Sequence, residues 1–178
     1  MRISRRDFLV ACAADVGLQA GCPDAASLID IGSDCLLPES LAGFRSVMAG
    51  SKIGAGLVIP GAGMLTKRMA GTVQQHLRSG GSVLLESAVG LMQPGIKSSY
   101  VPYVDFNWPV RAQIREFYPL PLHPRTGDAV IARFAGQPVA LRRGRLILLG
   151  SPVGAALLAD DPDAHRWVAG VLRWMRGG

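Results

Sequence analysis

Glu86 and Ser87 stand side by side where the apolar run Ser82-Val83-Leu84-Leu85 gives way to Ala88-Val89-Gly90. In open α/β sheets the turn after such a strand lies at the carboxyl edge, where ligands bind and nucleophiles are displayed. A serine nucleophile needs an imidazole base within hydrogen-bond reach, and the base needs a group that orients it. Three histidines are on offer, His76, His123 and His165. His165 is the best candidate, near the start of the last helix and close in chain to the sheet edge. One reading is therefore a small hydrolase with Ser87 as nucleophile, His165 as base and Glu86 nearby. The plainer reading is that Glu86 and Ser87 are strand-end polar groups satisfying local backbone.

A second candidate site needs no nucleophile. The turn Gly61-Ala62-Gly63 closes the preceding apolar run, and with the Glu86–Gly90 turn it would rim a concavity with backbone N–H groups. Such a rim holds a small anion or a sugar. Gly61, Gly63, Ser87 and Ser151 are the candidate ligand contacts, against the alternative that both glycines simply make a turn. Cys12, Cys22 and Cys35 lack the paired spacing of a zinc or redox site, so neither a structural metal nor another cofactor is expected.

The elements that would position these residues follow from pattern. Leu28-Ile29-Asp30-Ile31 reads as a short strand, and Pro38-Glu39-Ser40 opens a helix to about Met48, with Pro in its first turn and Glu at the positive end of the dipole. Gly56-Leu57-Val58-Ile59 is a continuous apolar run, as a strand buried on both faces requires. Thr66–Arg78 carries Met69, Val73 and Leu77 four residues apart, one stripe of an amphipathic helix. Gly80-Gly81 stops it before the Ser82–Leu85 strand. This strand–helix–strand unit should be parallel and right-handed.

From Gln93 to Trp108 no period is visible, and Pro94, Gly95, Pro102 and Pro109 predict a long loop whose aromatics Tyr100, Tyr103, Phe106 and Trp108 either line a cleft or pack the loop down. The second half changes character. Val110–Phe117 and Ala129–Phe134 alternate, Gly136-Gln137-Pro138 turns, Val139–Leu141 returns, and Arg145–Leu149 is a further buried strand. These predict antiparallel strands at one side of a mostly parallel sheet. Asp161-Pro162-Asp163 caps a closing helix in which Ala164, Trp167, Val168, Val171, Leu172 and Met175 share a face.

A chain of 178 residues suits one domain, here residues 27–178, preceded by an export leader and linker at 1–26. The formal charge is +6, but the basic residues are scattered. Arg142, Arg143 and Arg145 form the one tight group, which reads as a solvated edge strand guarded by charge. No nucleic-acid partner is expected without a basic face interleaved with aromatics.

Ser4-Arg5-Arg6-Asp7-Phe8-Leu9 resembles a twin-arginine export signal, with Val10 in place of the usual Lys. Leu18-Gln19-Ala20-Gly21-Cys22 resembles a lipoprotein processing site, with Gln19 where an aliphatic residue is usual. These resemblances imply an exported, periplasmic or membrane-tethered protein, with a lipid anchor at Cys22 as one form of tethering. The alternative is a cytoplasmic protein whose first helix is amphipathic.

The order of the remaining pieces resembles the class I glutamine amidotransferase-like superfamily, and more narrowly its trehalose-utilisation-like branch. The pieces are Leu57-Val58-Ile59-Pro60-Gly61, the helix ending Gly80-Gly81, the elbow Glu86–Gly90, and Gly144–Ser151 before the last helix. The resemblance implies an α/β, flavodoxin-like three-layer sandwich. It also implies a cysteine at the elbow and a His-Pro-Glu after a late strand, where this chain has Ala88 and Ser151-Pro152-Val153. All three catalytic identities are absent. The expected function is thus a non-catalytic binding or scaffold domain. A protein partner or second copy could add to a sheet edge, because few strands precede Gly56.

Overall fold

The computed structural model describes residues 27–28, 37–49, 56–63, 65–87, 103–116 and 119–177. In chain order these form β1 (Ser27–Leu28), α1 (Pro38–Met48), β2 (Gly56–Ala62), α2 (Lys67–Arg78), β3 (Ser82–Ser87), β4 (Tyr103–Phe106) and β5 (Ala112–Arg115). Then come β6 (Ala129–Phe134), β7 (Gln137–Arg143), β8 (Leu146–Leu149), α3 (Val153–Leu158) and α4 (Pro162–Gly177). The leader, the three cysteines, the turn after Ser87 and Tyr100 lie outside the described residues.

The eight strands among the described residues belong to one mixed sheet in the order β1-β2-β3-β8-β7-β6-β4-β5. β1, β2, β3 and β8 are parallel, with Val58 beside Leu84 and Leu84 beside Ile147. The remaining four neighbouring pairs are antiparallel, so the expectation of a mostly parallel sheet is corrected. The cause is local. The β6–β7 turn runs through Ala135 and Gly136 at φ 47° and 79°, and the β7–β8 turn through Gly144 at φ 54°. Turns this tight join only antiparallel neighbours.

β2 and β3 are buried at every position, as their unbroken apolar runs require. Alternate residues serve two clusters. Leu57, Ile59, Val83, Leu85 and Leu146 pack with Ala70 and Val73 of α2. Val58, Leu84 and Ile147 point the other way, to Phe44 of α1, Val153 and Leu157 of α3, and Trp167 and Val171 of α4. α2 is capped by Thr66, whose Oγ1 accepts from Met69 N, and ends where Gly80 takes φ 85°. α4 is capped by Asp161, whose Oδ1 accepts from Asp163 N and Ala164 N at 2.8 and 3.2 Å. Its whole expected apolar face is buried.

Two expectations are revised by the second half. Part of the expected loop is β4, in which Val104 and Phe106 are buried between exposed Tyr103 and Asp105. Four alternating residues between Pro102 and Pro109 are too few for the period to stand out. Phe106 meets Trp167 at a tilt of 47° with centroids 4.5 Å apart, and Trp108 meets Trp174 edge-on at 5.1 Å, so both pack the segment down on α4. Nor is β7 a solvated edge strand. It lies between β6 and β8, and Arg143 makes a paired contact with Asp128 at 2.7 and 2.8 Å. The true edge at that end is β5. Its Gln113 N–H donates to Asp163 at 2.7 Å, and Arg166 donates to Arg111 O at 2.9 Å, so α4 occupies backbone groups that an added strand would use. No helix among the described residues is long and apolar enough to cross a membrane.

Candidate functional site

The carboxyl ends of β2, β3 and β8 meet at one place. Ala62 pairs with Ser87, and Glu86 with Leu149, so the next residues in register, Gly63 and Gly150-Ser151, border the same edge. The sheet therefore brings Gly61, Gly63, Ser87 and Ser151 to one rim. Segment 119–122 crosses beside it. Leu120 N donates to Gly150 O at 2.6 Å and Leu122 N to Pro138 O at 2.7 Å, and a Cβ on Gly150 would lie 2.1 Å from Leu120 O.

Glu86 is the chemical centre of this edge. It is fully buried, and both carboxylate oxygens are engaged. Oε1 accepts from Gly154 N at 2.7 Å, while Oε2 accepts from Gly61 N at 2.7 Å and from Ser40 Oγ at 2.5 Å. The reason lies in the helices. Neither α1 nor α3 has a side-chain cap of its own, with Leu37 and Pro152 at their N-cap positions. Helix N-termini leave N–H groups without intrahelical partners and favour negative charge. Glu86 supplies an acceptor at both from the end of β3, taking the Ser40 hydroxyl of α1 and the Gly154 N–H of α3. Gly61 at φ 57° turns its N–H onto the same carboxylate.

The two helices meet at backbone distance to make this arrangement. A Cβ on Gly43 would fall 2.0 Å from Gly154 O, and one on Gly154 would fall 2.4 Å from both Ser40 O and Ser40 Oγ. Glycine at both positions is thus a packing requirement, and it brings Ser40 and Gly154 together at the two oxygens of one carboxylate.

Burial is the dominant influence on the Glu86 proton, pushing its pKa from 4.5 up to about 7. The hydrogen bonds from Gly154, Ser40 and Gly61 pull the other way and are outweighed, and the nearby Glu116 carboxyl adds a smaller upward push. A carboxyl poised near neutrality is what general acid–base chemistry uses. Here it is enclosed by protein donors, which makes it a tie between two helices and the sheet.

The other candidates do not converge on it. Side chains alternate along a strand, so Ser87 projects to the α2 face with Val83 and Leu85, while Glu86 projects to the α1 and α3 face. His165 Nε2 lies 3.2 Å from exposed Asp160. His76 packs over Gly81, where a Cβ would fall 2.2 Å from its Nε2, at the opposite end of β3 from Ser87. His123 is exposed beyond the 119–122 segment. Ser151 is 1% exposed, and its hydroxyl has no hydrogen-bond partner among the described residues. Pro152 and Val153 lie in the buried β8–α3 junction.

Sequence reasoning missed Ser40 and Gly154. The available signal was a charged residue ending a strand buried on both faces, which has to find donors. Nothing local says that they come from 46 and 68 residues away.

No protein-family model matches the chain, and no curated protein sequence matches it. Solved structures do. A glutamine amidotransferase superposes with a TM-score of 0.51 at 12% identity, covering 84% of this chain and 99% of that one. α-L-Fucosidase isoenzyme 2 from Paenibacillus thiaminolyticus superposes with a TM-score of 0.56 at 14% identity, covering 88% of this chain. This chain spans 33% of the fucosidase. At these identities the likeness establishes a glutamine amidotransferase-like fold and nothing about activity.

Proposed function

We propose that the chain is a non-catalytic binding or scaffold domain built on the amidotransferase-like fold, with its ligand surface at the carboxyl edge of β2, β3 and β8. The observation that carries this reading is the enclosure of Glu86. The strand-end carboxylate that could orient a base has both oxygens committed to Ser40, Gly61 and Gly154. Ala88, Ser151 and Val153 occupy the positions that the superfamily resemblance aligns with cysteine, histidine and glutamate. The ligand class is a small anion or sugar held by backbone N–H groups around Gly61 and Gly63 and by the Ser87 and Ser151 hydroxyls. In this proposal the fold is of the flavodoxin-like, trehalose-utilisation-like type. The protein is exported by its Ser4–Leu9 signal, and any strand-adding partner uses the β1 edge.

Two measurements test the reading. Amide and ester substrates, with a serine-directed fluorophosphonate probe, should give neither turnover nor labelling above a Ser87→Ala control. Saturable turnover abolished by Ser87→Ala would overturn the non-catalytic assignment. Intact mass from cell fractions should show loss of about the first 20 residues, the span of a typical leader, in the wild type and not in Arg5→Lys/Arg6→Lys. An uncleaved product of both forms in the cytoplasm would remove the export assignment.

A further inference from the structure

At the amino end of the parallel strands, opposite the Glu86 edge, the β7–β8 hairpin meets the last turns of α4. Arg142 places its guanidinium 4.8 Å from the Trp108 ring centroid, and Arg145 places its own 6.0 Å from that of Trp174. The two indoles touch edge to face. Arg145 Nε donates to Gly81 O at 3.3 Å, which anchors the hairpin to the start of β3. Beside this cluster is a groove of about 330 Å³ lined by Pro109, Val110, Gly170, Arg173, Trp174 and Gly177. A Cβ on Gly170 would lie 3.0 Å from Pro109, so glycine lets Pro109 pack close against α4 at the wall of the groove.

The electrostatics are one-sided. Among the described residues no carboxylate side chain lines the groove, and Arg142, Arg145 and Arg173 have no acidic partner. The carboxylate near the hairpin, Asp128, is taken up by Arg143. The planar fork of arginine N–H donors matches a carboxylate bidentately, and Arg is favoured for carboxylate recognition for that reason.

We propose that this surface docks an acidic polypeptide segment of a partner protein, with one apolar side chain seated in the Val110–Trp174 groove and carboxylates on Arg142, Arg145 and Arg173. Charge complementarity selects the partner. A second copy of a chain with net charge +6 would bring like charges together. Nucleic acid fits less well, because the two indoles pack edge to face on each other and beside Arg142 and Arg145, which leaves them engaged within the protein and not open as stacking platforms for bases. An open apolar depression beside three arginines suits a peptide that carries an apolar side chain among carboxylates. The inference concerns a different surface from the ligand edge and stands whether or not that edge binds anything.

The test uses the full chain and tryptophan fluorescence. The probes are a capped peptide of Glu and Asp flanking a central Leu, the same peptide with Ala at the centre, oligothymidylate, and phosphatidylglycerol vesicles. The Leu peptide should bind saturably, weaken as salt rises, and bind more tightly than the Ala peptide. Arg173→Glu, an exposed change that leaves the fold intact, should weaken it about fivefold or more, the scale for an interface arginine that contributes to binding. Arg142→Gln, checked for an unchanged thermal midpoint, should do the same. The proposal is overturned if the Leu peptide does not bind, or if both variants bind it as the wild type does. Tighter binding of oligothymidylate or of vesicles than of the peptide, lost in Arg173→Glu, would overturn it in favour of that other partner.

Discussion

Replacing Glu86 by Gln should change how stability depends on pH, in a direction opposite to that of an ordinary paired carboxylate. The folded-state pKa is about 7, against 4.5 for the unrestrained group. Below 4.5 the group is protonated in both states and its burial costs no charge transfer. Between 4.5 and 7 the unfolded chain has released the proton while the folded chain holds it, so stability falls as pH rises. Above 7 the penalty is constant. At about 1.4 kcal/mol per unit, the shift corresponds to roughly 3 kcal/mol across that window. With a urea slope of about 2 kcal/mol per molar for a domain of this size, the midpoint should fall by about 1.5 M between pH 4.5 and 7.5. Gln cannot ionise, and its amide N–H₂ must face a backbone N–H, a pH-independent cost of about 1–3 kcal/mol. The decisive quantity is therefore the difference in slope. Urea melts at half-unit pH steps should show the wild type losing stability through the window relative to Glu86→Gln. Carbon-detected titration of the Glu86 carboxyl should give a midpoint near 7. Parallel profiles for the two proteins, or a wild type that gains on the variant as pH rises, would refute the argument that burial outweighs the three donors.

Two further outcomes follow from packing and charge. Gly154→Ala should force α3 away from α1 and loosen Glu86, costing about 3 kcal/mol or more and lowering the thermal midpoint by roughly 6–12 °C. Gly177→Ala, with no atom within 4 Å of its Cβ, should change stability by less than about 0.5 kcal/mol. Asp128 behaves oppositely to Glu86. Its hydrogen bonds to Arg143 hold its carboxyl below the usual value, so its contribution is present at neutral pH and is lost as pH falls through the folded-state pKa. Asp128→Asn should remove that acid-side loss, and a double-mutant cycle with Arg143→Gln should give a coupling of about 1 kcal/mol by chemical denaturation.

How much of this was legible depended on the range over which the information acts. β2, α2 and β3 could be read because a doubly buried strand is apolar throughout and α2 carries its stripe at a fixed spacing. α4 could be read because Asp161 and the face from Ala164 to Met175 agree. Short elements escaped. α3 is six residues of Val, Gly, Ala and Leu, four of them buried, so it shows no amphipathic period at all. The parallel β2–β3 pair and the antiparallel strands of the second half were legible from the crossover and from the Gly136–Pro138 turn, but the balance was misjudged, because apolar runs record burial and do not say that four of the seven neighbouring pairs are antiparallel. Arg142, Arg143 and Arg145 looked like edge protection, but their partners Trp108, Asp128 and Trp174 come from three other parts of the chain. The edge where Ser87, Gly61 and Ser151 gather was legible from strand order, whereas Ser40 and Gly154 required the tertiary contact itself.

Both oxygens of Glu86 are engaged by the protein itself, which makes this carboxylate a structural tie. A leucine there would suit a strand buried on both faces and would avoid the cost of desolvating a charge. It would also leave Gly61 N–H, Gly154 N–H and Ser40 Oγ without their acceptor, at about 1–3 kcal/mol for each group left unsatisfied. Glu86 therefore stands between the cost of its burial and three donors that need an acceptor. What it contributes is direction. The glycine contact between α1 and α3 fixes how closely the helices approach, and the carboxylate fixes where along the sheet they do so, because its oxygens accept only from donors placed on both sides and from the turned Gly61. The same carboxylate therefore sets the position of the β2 turn and of the β8–α3 junction, the two backbone segments that border the proposed ligand edge. A catalytic carboxyl has to keep one oxygen available to substrate or base. Glu86 gives both to the scaffold, and the rim formed by Gly61, Gly63, Ser87 and Ser151 inherits its shape from that commitment.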